Sequence, residues 1–226
     1  MTAFLRLVYW DWVHEMKRKE TIVSMILFSL VTLFVFSRAI EPDSETGQKA
    51  HAGILWVTFL LAGAIGIDRA FRSGDGGNKV LEGLLLSPVG RTTIYYAKVT
   101  STLLFLLVME AVILVLFCVL YNVSISLSDL GALAVVILAV TIGLVAVGVT
   151  LSAMTRAIHG GDVILRILLF ALLIPLLWSA VRVTASIFSE DAVDWNAIGI
   201  IGAFDLVYVA SGQLLFEPIL QDYDAS

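Results

Sequence analysis

The sequence predicts an all-α integral membrane protein: six transmembrane helices, an N-terminal amphipathic interface helix, and a short amphipathic helix outside the bilayer between spans two and three. Three observations carry that class. Of 226 residues, 59% are hydrophobic and 15% charged, whereas soluble domains run at about 25% charged, and the mean hydropathy is +0.97. Six apolar runs approach or exceed the roughly 20 residues that cross a ~30 Å hydrocarbon core. Basic residues gather in alternate loops, the pattern that sets orientation. The chain reads as a single transmembrane unit over residues 1–226.

The interface helix comes first, within residues 1–20. Leu5, Val8, Tyr9, Trp12, Val13 and Met16 recur at helical spacing opposite Arg6, Asp11, Glu15 and Arg18, giving an amphipathic helix of about four turns. Its Trp and Tyr content suits the headgroup layer. The segment mixes charges with aromatics and has no small-residue cleavage site, so it does not read as a cleavable signal. The spans follow at residues 21–40, 53–70, 99–121, 130–154, 163–188 and 196–216. Asp68 and Arg69 cut into the end of the second, and Pro175 removes a backbone donor from the fifth and is expected to kink it. Arg6, Lys17, Arg18, Lys19, Arg69, Arg72, Lys79, Arg91, Lys98, Arg156 and Arg166 flank one side, against Arg38, Lys49 and Arg182 on the other. Both termini are therefore expected in the cytoplasm. The opposite loops are short and acidic, and the net charge of −5 forms no field suited to nucleic acid.

The most informative stretch lies between the second and third spans, RAFRSGDGGNKVLEGLLLSPVGRTTIYYAK at 69–98. Gly74, Gly76 and Gly77 make a flexible entry, and Lys79 to Leu86 then places Val80, Leu81, Leu84 and Leu85 on one helical face. Ser87-Pro88 ends that helix. Its apolar face needs cover from the headgroup region or from a partner. GDGGNK lacks the G-x-x-x-x-G-K-[ST] order that cradles phosphates, so any nucleotide is expected on another chain. No catalytic constellation is present, and the chain reads as no enzyme by itself. No metal site is read from it.

Taken together these parts resemble the CcmB family, the permease subunit of the ABC-type system for bacterial cytochrome c maturation. The resemblance rests above all on Arg69, Phe71, Lys98 and the LEGLLLSP core, with weaker support from ILW at 54–56, Met109-Glu110 and the run that begins at Leu151. Gly76-Gly77 departs from the more acidic or bulky residues expected there. The resemblance implies a six-span permease in the bacterial inner membrane that works with a separate ATP-hydrolysing subunit, CcmA, beside CcmC, CcmD and the haem chaperone CcmE, with a second CcmB copy. By that resemblance Lys79, Val80, Leu81, Glu82, Gly83, Leu84, Leu85, Leu86, Ser87 and Pro88 form the helix that couples to the ATPase, within a cytoplasmic segment 71–98. The loop 156–162 adds a minor contact. ATP hydrolysis would drive haem export or release of haem-loaded CcmE from CcmC. The alternatives are a permease for another apolar substrate, such as a lipid or drug, and a non-transporting assembly scaffold.

Haem ligation by this chain has little support from the residues, since no C-x-x-C-H motif occurs among its one cysteine and three histidines. His14 falls on the polar side of the surface helix and His159 in a cytoplasmic turn. His51, on the side where haem is handled, is read as a solvated loop histidine. Two carboxylates fall at membrane depth, Glu110 in the third span and Asp205 in the sixth. Each is expected to face the bundle or a partner, because an exposed ionisable group there costs about 2.5–3.5 kcal/mol. Arg182, Tyr121 and Tyr208 are candidate partners, and a carboxylic acid kept neutral by burial is an equal account. A structural interhelical hydrogen bond is favoured over a transport role. Gly63, Gly66, Gly143 and Gly148 are expected at close helix contacts.

Overall fold

The computed structural model describes residues 2–39, 45–70, 90–123, 125–157, 162–189 and 194–224. These form seven helices: α1 (Thr2–Lys17), α2 (Lys19–Ala39), α3 (Glu45–Ala70), α4 (Arg91–Tyr121), α5 (Leu127–Ala157), α6 (Asp162–Phe188) and α7 (Trp195–Asp224). Six of them, α2 to α7, are long and apolar enough to cross a membrane, in the order the hydropathy predicts. The residues 79–88, expected to form the short helix between spans two and three, lie outside the described residues.

Three boundaries differ by two turns or more from the sequence reading, one of them the end of the sixth-span helix, which runs on to Asp224 rather than stopping at 216. The third-span helix begins at Arg91, so residues 91–98, assigned by sequence to the connecting segment, form its first two turns. Tyr95, Tyr96 and Lys98 lower the hydropathy there without breaking the helix. The second-span helix begins at Glu45, well before residue 53. At ~1.5 Å per residue, the 31 residues of α4 and of α5 extend about 46 Å, several turns beyond a ~30 Å core.

The centre of the bundle is α3 and α5, whose spans are the most buried, and α2 and α7 are the most exposed. Small residues let the central helices close up. A Cβ at Gly148 would stand 2.6 Å from Ile67 Cδ1, and one at Gly63 would stand 2.9 Å from Leu144 Cδ2, so a side chain at either position would displace its neighbour. Aromatic rings fill the wider gaps. Trp56 and Phe59 of α3 are fully buried and meet edge to face at 5.6 Å, and Trp56 Nε1 donates to Thr184 Oγ1 of α6 at 2.8 Å. Several hydroxyl side chains in the apolar runs are bonded locally. Ser24, Ser29 and Thr32 donate to the carbonyls of Glu20, Met25 and Phe28 one turn back, which lets α2 carry hydroxyls through hydrocarbon. Pro175 sits inside α6 as one continuous helix. It cannot donate to the carbonyl four residues back, and next to that position Tyr208 of α7 donates to the Leu172 carbonyl.

The short links are equally local. One residue, Arg18, separates α1 from α2, and its amide donates to Glu15 O at 3.1 Å while its carbonyl accepts from Thr21 at 3.1 Å. Asn122 ends α4 in the left-handed region at φ 51°, a conformation asparagine adopts more readily than most residues. Asp194 opens α7, accepting from the Ala197 amide at 3.2 Å as an N-cap side chain does.

Candidate functional site

Among the described residues, α4 is the helix with the widest set of interhelical side-chain bonds. It begins directly after the segment that contains residues 79–88. Near its first turns Tyr96 donates to Gln213 Oε1 of α7 at 2.7 Å, the Tyr95 hydroxyl and Thr150 of α5 both lie against Gly212 of α7, and Lys98 reaches the carboxylates of α1, 3.3 Å from Asp11 Oδ2 and 3.7 Å from Glu15 Oε1. Midway along, Glu110 meets Thr141 of α5. At its far end Tyr121 donates to the Leu33 carbonyl of α2 at 3.1 Å. A displacement of its first turn is therefore felt by α1, α2, α5 and α7.

The face that α1 turns inward keeps part of the apolar stripe the periodicity predicts and adds an acid from the polar set. Val8 and Glu15 are buried, with Trp12 and Met16 packed against the core, whereas Leu5, Tyr9 and Trp10 are exposed. The physical reason is Lys98: a cation near the start of a span needs anions, and Asp11 and Glu15, one turn apart on α1, supply them. Burial pushes the Glu15 carboxyl up to about 7, with Lys98 pulling the other way and Asp11 adding to the rise. The sequence signal for this site is the single lysine at the head of the third span together with an i, i+4 acidic pair upstream.

Glu110 is 3% exposed. Thr141 Oγ1 lies 2.8 Å from Glu110 Oε2 and 2.7 Å from the Ile137 carbonyl. A hydroxyl has one proton to give, so both contacts are satisfied together only when Glu110 carries a proton of its own. Asp205 enters α5 from another side, its carboxylate in the notch at Gly143, where a Cβ would also stand 2.9 Å from Leu176 Cδ2. Thr141 and Gly143 are two residues apart, about 200° around a helix and ~3 Å along it. The two carboxyl groups thus flank α5 at one depth from opposite faces, and the fold does not bring them together.

The expected partners go elsewhere. Arg182 pairs with Asp194 at 2.8 Å, Tyr121 with the Leu33 carbonyl and Tyr208 with the Leu172 carbonyl; the partner of Glu110 is a threonine that sequence reasoning did not single out. His51 is no solvated loop residue. It lies within α3, 6% exposed, edge-on to Tyr121 at 4.9 Å and to Phe117 at 6.2 Å. Phe117 in turn stacks on Tyr121 and Phe188. His14 is exposed, as expected, and His159 and the residues 79–88 fall outside the described residues.

A family model described as "CcmB protein" matches residues 2–216. The chain is 27% identical over 164 residues to heme exporter protein B of Pseudomonas aeruginosa, covering 71% of each chain. It is 28% identical over 176 residues to heme exporter protein B of Haemophilus influenzae, covering 77% of each.

Proposed function

The chain belongs to the CcmB family, and from that premise we propose that it is the non-catalytic membrane subunit of an ATP-driven haem export system for cytochrome c maturation. The observation that carries the reading is the family match over residues 2–216, joined to a bundle of six candidate spans. The proposed complex pairs the chain with a CcmA-like subunit that binds ATP, alongside CcmC, CcmD, the haem chaperone CcmE and a second copy of the chain, in the bacterial inner membrane. ATP hydrolysis acts on Lys79 to Leu86, and α4, which follows that segment, passes the movement to the helices bonded to it. The work done is haem export or the release of haem-loaded CcmE. The test is deletion of the chain and its return on a plasmid. Holocytochrome c is expected to disappear and come back, with apocytochrome and haem synthesis unchanged. Persistence of holocytochrome c in the deletion rejects the reading.

Orientation is part of the same proposal, with both termini in the cytoplasm. Reporter fusions after Ser44 and Ser189 are expected to read outside, and fusions after Gly77 and Gly160 inside. A reversal at any one of these sites rejects the orientation.

A further inference from the structure

Two carboxylates of α1 share one ammonium of α4. Lys98 Nζ is within hydrogen-bond reach of Asp11 Oδ2, at 3.3 Å, but 3.7 Å from Glu15 Oε1, which is an ion pair too long to be a hydrogen bond. The two acids are not equally placed. The Asp11 side chain is 30% exposed, so water supports its charge, while Ser101 Oγ, 3.5 Å from it, lies closer to the Lys98 carbonyl at 3.1 Å. The Glu15 side chain is 8% exposed, and neither of its oxygens has a hydrogen-bond partner among the described residues. The charged groups that act on it are Lys98 from α4, Asp11 on α1 and Arg18 at the break between α1 and α2. A buried carboxylate without donors, sharing its cation with a better-served rival, is an expensive charge.

We infer that Glu15 is a proton-binding site that sets the docking of α1 on α4. With the proton on, the side chain is a neutral group in a dry contact, and α1 lies clasped against the head of α4. With the proton off, the charge, only partly offset by Lys98 and Arg18, draws Glu15 toward water, and α1 swings away about Arg18, the one residue between the two helices. The outward face of α1 suits the released position. Leu5, Tyr9 and Trp10 are 57%, 62% and 72% exposed, an apolar and aromatic surface that settles in a headgroup layer. This inference stands apart from the haem-export reading, since it concerns only how two helices of this chain meet.

The sign follows from the direction of the shift. The docked carboxyl holds its proton up to about 7, above its ordinary 4.5, so the docked form binds the proton more tightly than the released one. Docking is therefore strongest below the ordinary value, weakens as pH rises through the interval up to about 7, and is flat above it. Within that interval the docked-to-released ratio falls by up to about tenfold per pH unit.

Dipolar distances between spin labels test this on the full chain in lipid nanodiscs. The labels go at the exposed positions His14 and Thr92, with Cys118 replaced by Ser. At about pH 5 one short, narrow distribution is expected, and a second, longer population grows in by about pH 8. Glu15→Gln, which carries the proton's neutrality permanently, is expected to stay docked at both. Asp11→Asn leaves Lys98 to Glu15 alone and moves the transition to lower pH. A distribution in the parent that ignores pH overturns the inference, and so does a Glu15→Gln protein that shifts as the parent does. Should Glu15→Gln fail to fold, the Asp11→Asn arm decides, and a transition that stays in place or moves upward overturns it.

Discussion

Replacing Leu84 and Leu85 together by aspartate is expected to abolish retention of the ATPase subunit while leaving the chain in the membrane. Both leucines fall on the apolar face of the helix that the sequence predicts over residues 79–86, between spans, so no span loses hydrophobicity. Each buried leucine is worth about 1.5–3 kcal/mol of transfer free energy. Losing two, even before the cost of burying charge, amounts to at least about 3–4 kcal/mol, a fall in affinity of several hundredfold or more. Copurification from detergent extracts reads this directly, with membrane fractionation as the control for insertion. Retention equal to that of the parent removes the coupling assignment. Loss of retention together with loss of the protein from the membrane fraction rejects the claim that the segment lies outside the spans.

Glu110→Leu is expected to reduce cytochrome c production by about tenfold, within the range of ordinary coupling free energies of about 1–3 kcal/mol, whereas Glu110→Gln stays near the parent. The hydrogen-bond count explains the difference. The side-chain amide of the Glu110→Gln variant can give a proton to Thr141 and leave the threonine hydroxyl for the Ile137 carbonyl, which is how a protonated glutamate would serve both contacts at 2.8 Å and 2.7 Å. Leucine cannot. Stability is expected to change little, because interhelical hydrogen bonds in membranes average about 0.6 kcal/mol and Thr141 keeps its backbone acceptor. Haem-stained c-type cytochromes, normalised to the immunoblotted membrane level of the chain, give the measurement. A fully active Leu variant makes the bond incidental. A Gln variant as defective as Leu assigns the role to the charge itself and calls for a proton- or cation-linked step.

What could be read from the sequence and what could not divides along a physical line. Helix number, order and approximate length follow from hydropathy, which is a property of each segment alone, and the close contacts at Gly63, Gly66, Gly143 and Gly148 follow from residue size. Facing and pairing depend on distant residues. His51 is buried because Phe117 and Tyr121 offer it ring edges and faces, and nothing local in its sequence says so. Glu15 turns inward because of Lys98, more than eighty positions away, although the amphipathic pattern of α1 places it with the polar residues. Likewise the early start of α4 rests on tertiary partners of Tyr96 and Lys98, which compensate for the polarity that ends the hydropathic run at residue 99. The residues expected to meet the ATPase were legible only as a pattern, an apolar face in a loop with nothing nearby to cover it.

The tight closure at Asn122, where Val123 N donates to Cys118 O at 3.2 Å, bears on how the chain is made. Residues 122–126 are all that separates α4 from α5, so the two leave the ribosome as a helical hairpin. α4 is the most apolar of the six spans, and it is the one that carries Glu110, a group whose entry into hydrocarbon costs about 2.5–3.5 kcal/mol. The residue that receives its carboxyl, Thr141, is synthesised 31 positions later on the very next span. Threading the pair into the bilayer together places donor and acceptor side by side before any later segment has arrived. Membrane integration of the acidic span then depends on its immediate successor, and a chain truncated between α4 and α5 would have to carry an unmatched acid into the lipid.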